Sequence, residues 1–305
     1  MKEKTAGAGT QKMTESELSE KLGGMQRKEA VCILAALLGG IGCAAVLLIS
    51  QNIPVAALLF AVSAAGIAAG SAIRKKRKTL LQEQLAGFFQ SELEAAFGPD
   101  LHTPEMRIDR TLMEKLGLPC GEWEECGIGN FHEGMHRGIL FSAANVRLEH
   151  VRVVRQAREG TGTYRETVFG GIVFRIRTSA SPSAPVCIIA RTEGGPQGLL
   201  TGNAAFDSRF CITGEQGEPA LPAAPLAESL ETFLQSVNGR VTGMRWEDGI
   251  FTAALETRYG FAVVSDDVNQ GDLAAVRRSY LTSLREMGRM IDLFIKNPVL
   301  FGGRG

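Results

Sequence analysis

Two long apolar runs near the N-terminus constrain this chain more than any other feature of its sequence. Residues 30–50 (AVCILAALLGGIGCAAVLLIS) and 55–73 (VAALLFAVSAAGIAAGSAI) contain no charged side chain. With a rise of about 1.5 Å per residue, a helix of about 20 residues matches the roughly 30 Å hydrocarbon core of a bilayer. Only residues 51–54 (QNIP) separate the runs. We therefore predict an antiparallel transmembrane hairpin over 30–73, with Pro54 in the turn or in the first turn of the second helix.

Two other kinds of segment share this composition. A secretory signal peptide also combines basic residues with an apolar stretch, but here the polar leader is 29 residues long and a second apolar run follows at once. A pair of buried helices in a soluble protein would show an apolar stripe, whereas these runs are apolar on every face. The membrane hairpin is the favoured interpretation, and the soluble helix pair remains the alternative.

Basic residues flank the hairpin at one end only. Arg27 and Lys28 precede the first run, and the turn between the runs has no Lys or Arg. A basic collar follows the second run and consists of Arg74, Lys75, Lys76, Arg77 and Lys78. The positive-inside rule therefore places both termini in the cytoplasm. The collar could also bind anionic lipid headgroups, at about 1 kcal/mol for each basic residue.

The charge pattern divides the chain into four segments. We predict a mobile cytoplasmic tail over 1–29, the two-helix hairpin over 30–73, the juxtamembrane collar over 74–78 and a cytoplasmic domain over 79–305. Within the tail, Thr14 and Glu17 match a capping box, which predicts a short helix that Gly23–Gly24 would end.

Small residues are frequent in both apolar runs. Gly39, Gly40 and Gly42 lie in the first run, and Gly66 and Gly70 form a G-x-x-x-G pattern in the second. Glycines let helix backbones approach closely, so we expect the hairpin to pack on itself, with dimerisation as the alternative. Neither run contains Asp, Glu, Lys, Arg or His, so no ion or proton relay is visible. The hairpin is typical of an anchor and not of a transporter.

Residues 79–305 show helical periodicity at both ends and strand alternation in the middle. We predict helices over 81–97, ended by Gly98–Pro99, and over 111–116, 226–237 and 272–294. A long β-hairpin is predicted over 138–155 and 164–177, with its turn at 160–163, and further strands over 186–191, 209–213, 241–246, 251–257 and 261–265. Glu247-Asp248-Gly249 is a favoured hairpin turn. The pattern indicates an α+β domain with a mostly antiparallel sheet and flanking helices.

The order of these features resembles a family of bacterial two-span membrane proteins that carry a cytoplasmic α+β domain of unknown function. The signature of that family is a Phe-x-Gly-Leu/Ile-Phe strand, which Phe169, Gly171 and Ile172 match, with Val173 in place of the final Phe. Arg175-Ile176-Arg177 follow here, where the family often has acidic or Asn-rich residues. The resemblance implies a multi-pass protein of the bacterial cytoplasmic (inner) membrane, and it supplies no catalytic residues.

The sharpest chemical pattern is C-x5-C-x5-H-x3-H, formed by Cys120, Cys126, His132 and His136. Cysteine and histidine are the usual ligands of zinc, but compact zinc sites favour two to four residues between paired cysteines. Surface histidines and ordinary thiols are the competing interpretation. The sequence has no Ser nucleophile elbow, Walker loop, HExxH or dinucleotide-binding fingerprint. We therefore expect no cofactor.

The charges of the chain are unevenly distributed. The full sequence has 33 basic and 33 acidic residues, but residues 79–305 contain 22 basic against 28 acidic. A net acidic domain argues against nucleic-acid binding, because nucleic acids are themselves negatively charged. We also expect an anionic membrane surface to repel such a domain. Our leading hypothesis is a membrane-anchored cytoplasmic interaction or scaffold module without intrinsic catalysis, with a protein partner at the inner membrane. The alternatives are a membrane-tethered enzyme with dispersed active-site residues and an accessory subunit of an envelope or transport complex.

Overall fold

The computed structural model describes residues 13–49, 52–156, 160–191, 198–214, 223–237, 239–257, 260–265, 267–269 and 271–301. The chain forms two compact units. The hairpin unit comprises Met1–Ser91 with Asp266–Ser279, and the sheet unit comprises Glu92–Ser265 with Tyr280–Gly305. Residues 1–12 of the predicted tail lie outside the described residues.

The described residues contain seven helices, seven strands and one 3₁₀ turn at Pro104–Met106. The helices are α1 (Glu15–Ile49), α2 (Ile53–Phe97), α3 (Arg110–Leu116), α4 (Ala204–Asp207), α5 (Ala223–Ser236), α6 (Leu273–Ile295) and α7 (Pro298–Phe301). The strands are β1 (Glu125–His136), β2 (Ile139–Gln156), β3 (Gly160–Arg177), β4 (Val186–Ala190), β5 (Phe210–Gly214), β6 (Arg240–Glu247) and β7 (Ile250–Glu256).

Helix α1 begins at the predicted cap but ends much later than predicted. The Thr14 N–H and hydroxyl both donate to the Glu17 carboxylate at 2.9 Å, which confirms the capping box. The prediction of a helix end at Gly23–Gly24 is wrong, because α1 continues through both glycines to Ile49. An interior glycine costs only about 1 kcal/mol relative to alanine. Burial of Leu18 and Leu22 outweighs that cost, at about 1.5–3 kcal/mol for each leucine.

Helix α2 contains the second apolar run, the basic collar and the amphipathic segment after it. The Asn52 side-chain oxygen accepts a hydrogen bond from the Val55 N–H at 3.4 Å, and Pro54 lies in the first turn, as predicted. At the other end, the Gly98 N–H donates to the Glu94 carbonyl at 2.7 Å, and its φ of +79° lies in the left-handed region. Glycine tolerates that conformation, so α2 ends where the sequence indicates.

The apolar parts of α1 and α2 pack through their small residues. A Cβ at Gly39 would lie 2.9 Å from the Leu59 carbonyl oxygen, and a Cβ at Gly66 would lie 2.8 Å from the Cys32 carbonyl oxygen. These distances leave room only for hydrogen on the glycine Cα. The Ser63 hydroxyl also donates to the carbonyl of Ala36 at 2.7 Å. The expectation that the hairpin packs on itself is confirmed.

A buried carboxylate joins α1 to the basic collar. Glu29 is 5% exposed, and its two oxygens lie 2.8 Å from Arg74 Nε and 2.9 Å from Arg77 Nη1. The Arg77 side chain is also buried, whereas that of Arg74 is exposed. This ion-pair cluster holds the start of the first apolar run beside the end of the second, as an antiparallel hairpin requires.

A disulfide between the helices would test this packing directly. A Cβ at Gly70 would lie 3.6 Å from the Cys32 Cβ, within the roughly 3.5–4.5 Å that a disulfide spans. We expect Gly70→Cys, in a Cys43→Ser background, to form an intramolecular disulfide with Cys32 on mild oxidation, measured by loss of thiol labelling. Gly87→Cys in the same helix is the control, because no atom lies within 4 Å of its Cβ. Equal thiol labelling of the two oxidised variants would contradict the packing.

The sheet unit contains a seven-stranded sheet in the order β1-β2-β3-β7-β6-β4-β5, with antiparallel neighbours throughout. This architecture confirms the α+β prediction with a mostly antiparallel sheet. Strands β2 and β3 form the predicted long hairpin and pair from Phe141↔Ile176 to Gln156↔Gly160. The prediction of a turn at 160–163 is wrong, because those residues pair with 153–156 and so satisfy their backbone groups within β3.

Two further segments differ from the sequence-based expectation. Strand β1 was not predicted, because its sequence (ECGIGNFHEGMH) lacks a run of β-branched residues. The strand predicted over 261–265 is wrong, since Phe261 and Ala262 form a turn. The Asn145 amide group replaces strand pairing there: its oxygen accepts from the Phe261 N–H at 2.7 Å, and its nitrogen donates to the Phe261 carbonyl at 2.8 Å.

Both faces of the central part of the sheet are buried. Helix α3 covers one face, where it packs on an apolar cluster that includes Leu148, Phe169 and Val173. The opposite face carries an aromatic core, in which Phe97 lies 4.9 Å from Phe141 and Phe294 lies 4.0 Å from Phe233 between ring centroids. Helices α5 and α6 contribute Phe233 and Phe294 to this core. The end of α2 contributes Phe97 to the same core. Phe97 lies against the sheet face that also carries the histidines of β1.

Candidate functional site

The four residues of the candidate zinc site lie in or just before β1, on two faces of the sheet. Cys120 and Cys126 pack against the cluster under α3. His132 and His136 lie on the other face, against Phe97, at centroid distances of 6.5 and 5.9 Å. The structure therefore brings the two cysteines to one apolar cluster and the two histidines to one aromatic ring, but it does not bring all four together.

A β-bulge in β1 explains this separation. Gly129 pairs with Asn145 and His132 pairs with Ala143, so β1 advances three residues while β2 advances two. Asn130, inside the bulge, has a φ of +51°. Side chains alternate between faces along a regular strand, and one extra residue reverses that alternation. Among the described residues, no group of three or more His, Cys, Asp and Glu side chains could hold a metal ion.

The two cysteines have the properties of packing residues. Both are partly buried against the α3 cluster. Burial is the main cause that raises the pKa of the Cys120 thiol and that of the Cys126 thiol above the ordinary value. A thiol with a raised pKa is protonated at neutral pH and is a poor nucleophile or metal ligand.

His132 is held in the neutral form inside the fold. It is 1% exposed, and its Nε2 atom has no hydrogen-bond partner. Burial lowers its pKa below the ordinary value, although the carboxylates of Asp100, Glu94 and Glu133 and a hydrogen bond with the Gly98 backbone act in the opposite direction. Protonation of His132 therefore opposes folding of this part of the sheet unit.

We expect this histidine to make the stability of the sheet unit depend on pH. The unfolded chain takes up the proton at the ordinary pKa of 6.5, above the lowered pKa of the folded form. Between those two values the unfolded state binds more protons, so the free energy of unfolding decreases as the pH falls below the ordinary value. His132→Gln should lose less stability than wild type between about pH 7.5 and about pH 5.

Denaturant unfolding of the full chain in detergent, followed by tryptophan fluorescence, measures this difference. His102→Gln is the matched control, because the His102 side chain is 72% exposed. If wild type, His132→Gln and His102→Gln lose equal stability on acidification, the assigned role of His132 is wrong.

His136 lies at a cleft of about 510 Å³ that is built from α2, the end of β1 and α6. The floor is apolar and includes Phe97, Leu281 and Leu284. The charged lining residues are Glu92, Arg285, Arg289 and Asp292. Gly288 lies against the imidazole, and a Cβ at that position would lie 3.4 Å from His136 Cε1.

A carboxylate fixes the orientation of the His136 ring. Its Nε2 atom lies 2.8 Å from Asp292 Oδ1, and Asp292 Oδ2 lies 2.9 Å from Arg137 Nη2. The Phe97 ring meets the imidazole edge-on. A histidine oriented by a carboxylate can accept or donate a proton. In the part of the chain that the structure describes, none of the residues lining this cleft is Ser, Thr or Cys.

The cleft also offers positive charge. Arg285 and Arg289 lie one helical turn apart on α6. The Asp292 carboxylate forms an ion pair with Arg137. Glu92 is the remaining acid in the lining, and Glu286 lies 3.5 Å from Arg289. Paired arginines above an apolar floor can hold a carboxylate or phosphate group.

Sequence reasoning identified His136 but missed its partners in the cleft. Arg285 and Arg289 lie in the helix predicted over 272–294, but nothing in their spacing relates them to His136. Asp292 is 156 positions from His136 along the chain, so no local spacing relates them.

The Phe-x-Gly-Ile pattern in β3 has a structural explanation. Phe169 and Ile172 are buried, and Gly171 makes room for the backbone of β7. These residues therefore support the fold and add no chemistry to the cleft.

Comparison of the chain with protein-family models, curated proteins and solved structures finds no match. The resemblance to the two-span family stays a prediction.

Proposed function

We propose that this protein is a membrane-anchored binding module, in which the hairpin formed by α1 and α2 inserts into the bacterial cytoplasmic (inner) membrane. The sheet unit then works on the cytoplasmic side, without catalysis of its own. The outward exposure of apolar side chains on both helices carries this proposal. Leu38, Leu48 and Phe60 are 62%, 84% and 67% exposed. Soluble monomers rarely expose contiguous apolar patches larger than a few hundred Å².

The same observation weighs against a soluble helix pair. The core helix of a soluble protein is mostly buried, whereas only 11% of the apolar window of α1 and 17% of that of α2 are buried. Both helices are long and apolar enough to cross a bilayer. A cleaved signal sequence fits poorly, because α1 packs closely on a second helix of the same kind.

The basic residues support an orientation with both termini in the cytoplasm. Arg27, Lys28 and the basic collar lie at the same end of the hairpin, where Glu29 pairs with Arg74 and Arg77. Lys and Arg close to the ends of transmembrane segments favour the cytoplasmic side. The sheet unit follows the collar in sequence and would lie on that side.

Alkaline extraction and reporter fusions test the anchor and its orientation. We expect the full chain to stay in the membrane pellet after carbonate washing, and a reporter fused after Gly305 to be active in the cytoplasm. Deletion of residues 30–73 should remove the chain from the pellet. A full chain released by carbonate would contradict the anchor, and a reporter active only outside the cytoplasm would contradict the orientation.

Within the sheet unit, the cleft beside His136 is the proposed contact site for a partner that carries an anionic group. Arg285 and Arg289 would bind that group, and Phe97 with the leucines of α6 would hold its apolar part. A photo-crosslinking amino acid at position 281, which lines the cleft and leaves Arg285 and Arg289 in place, should capture the partner in native membranes. The same amino acid at Arg240, an exposed position on β6 outside this cleft, is the control. Identical adducts from both positions would contradict the assignment.

The oriented His136–Asp292 pair favours a second candidate function, a membrane-tethered hydrolase in which His136 activates water. A substrate screen of the purified full chain separates the two functions. If the wild-type chain hydrolyses an ester or phosphoester, and if His136→Gln loses this activity while His102→Gln keeps it, the protein is a hydrolase and the proposed binding function is wrong. Partner capture without turnover supports the binding module.

A further inference from the structure

We propose that a groove between α1 and α2 binds one anionic phospholipid, with an acyl chain between the helices and the phosphate at Lys75 and Lys78. This inference rests on the proposed insertion of the hairpin into a membrane. It concerns a defined site, in contrast to the diffuse attraction that any basic collar exerts on anionic lipids.

The groove has a volume of about 960 Å³ and lies entirely within the hairpin unit. Gly40 and Gly70 face it and leave space where larger side chains would close it. Its deeper walls are Ile33, Leu37, Ile41 and Ile67. An apolar groove exposed to the interior of a bilayer is filled by lipid chains, because water is excluded there.

Among the described residues that line the groove, the serine hydroxyls already donate to backbone carbonyls. The Ser63 hydroxyl donates to the carbonyl of Ala36 at 2.7 Å, and the Ser71 hydroxyl donates to the carbonyl of Ala68 at 2.8 Å. Both serine hydroxyls therefore direct their hydrogen to the helix backbone and not to an occupant of the groove. A hydrocarbon chain fits such a wall better than a polar ligand.

The length of the groove also fits an acyl chain. From Glu29 to Ile41, α1 rises about 18 Å at about 1.5 Å per residue. One leaflet of the hydrocarbon core is about 15 Å thick, half of the roughly 30 Å total. The apolar part of the groove therefore extends over about the depth of one leaflet, and beyond it the groove is lined by residues of the basic collar with Thr79 and Gln82.

The charged end of the groove complements a phosphate group. Three basic residues, Arg74, Lys75 and Lys78, line it together with one acid, Glu29. Arg74 and Arg77 neutralise Glu29 at 2.8 and 2.9 Å, so the acid does not cancel the charge of the lysines. Lys75 and Lys78 lie about one turn apart on α2, which lets both ammonium groups approach one phosphate.

Native mass spectrometry tests this site. The full chain is incubated with vesicles of mixed phosphatidylglycerol and phosphatidylcholine and then solubilised for the measurement. We expect one retained phosphatidylglycerol per chain. Lys75→Gln and Lys78→Gln should each lower its retention about five-fold, which corresponds to about 1 kcal/mol per basic residue. Lys76→Gln is the matched control, because Lys76 belongs to the collar but does not line the groove. An equal loss in Lys76→Gln would show diffuse attraction and overturn the proposal.

A groove-filling variant tests the apolar half of the site. A Cβ at Gly70 meets only Cys32 Cβ at 3.6 Å and Ile33 Cγ1 at 3.8 Å, which are ordinary contacts. Gly70→Leu should therefore keep the hairpin but displace the acyl chain and abolish lipid retention. Unchanged retention in Gly70→Leu, or displacement of the lipid by inorganic phosphate alone, would overturn binding in the groove.

Carbonate extraction of the same samples separates this inference from the proposed anchor. Wild type that stays in the pellet but retains no phosphatidylglycerol contradicts the lipid site alone. Wild type released by carbonate contradicts the anchor itself, and the lipid site with it.

Discussion

Gly171→Ala is expected to unfold the sheet unit. A Cβ at this position would lie 1.9 Å from the Leu255 carbonyl oxygen, 2.8 Å from the carbonyl carbon and 3.1 Å from Glu256 Cα. All three atoms belong to the backbone of β7, so no side-chain rotation can relieve the overlap. Gly171 also immediately precedes the first β3–β7 pair, Ile172↔Leu255. Separating these central strands should cost more than about 3 kcal/mol.

The neighbouring glycine provides a matched control. A Cβ at Gly170 would meet Thr167 Cγ2 at 3.7 Å, which is an ordinary contact. We expect Gly170→Ala to unfold at nearly the wild-type denaturant concentration, and Gly171→Ala to be protease-sensitive without denaturant. Limited proteolysis and tryptophan fluorescence of the full chain in detergent measure both effects. Equal stability of the two variants would show that β7 does not approach Gly171 as described.

Glu29→Ala is expected to have the largest effect on the hairpin unit. It removes the carboxylate between Arg74 and Arg77, and the Arg77 side chain is only 10% exposed. Removing one partner of a buried ion pair costs about 3–5 kcal/mol, because the Arg77 guanidinium stays buried after it loses its carboxylate. The yield of the disulfide between Cys32 and a cysteine introduced by Gly70→Cys should fall, since α1 and α2 separate at this end.

Two companion variants distinguish loss of the pair from a general effect of the substitution. Glu20→Ala removes an exposed acid from the same helix and should leave the disulfide yield unchanged. Glu29→Leu combined with Arg77→Met should recover the yield, because replacing a whole buried pair with apolar residues is often neutral or stabilising. In the Gly70→Cys, Cys43→Ser background, a disulfide yield with Glu29→Ala equal to that with Glu29 intact would mean that this cluster does not hold the helices together.

Features that depend on neighbouring residues were readable from the sequence. The two apolar helices follow from run length and the absence of charge, and the start of α1 follows from the Thr14–Glu17 capping box. The turn between β6 and β7 follows from Asp248-Gly249, whose φ angles of +51° and +69° suit a tight hairpin. In each case the decisive interactions join residues at most a few positions apart, so a local pattern contains the information.

Local patterns were misleading where residues outside the pattern supplied the hydrogen bonds or the contacts. Residues 160–163 have turn composition, yet β2 provides partners that keep them in β3. Phe261 has strand composition, yet Asn145 satisfies its backbone and holds it in a turn. Gly23 and Gly24 would end an isolated helix, but packing of Leu18 and Leu22 sustains α1 through them.

The sequence by itself determined the apolar helical hairpin, its basic flank and the α+β character of the rest, because length, charge and periodicity act locally. Tertiary structure alone decided the candidate sites. One extra residue in the β1 bulge puts His132 and His136 on the face opposite Cys126. Helix α6 then places Asp292 beside His136, and α2 places two arginines on Glu29. These pairings join residues far apart in the chain, and only the packing that buries them sets their distances.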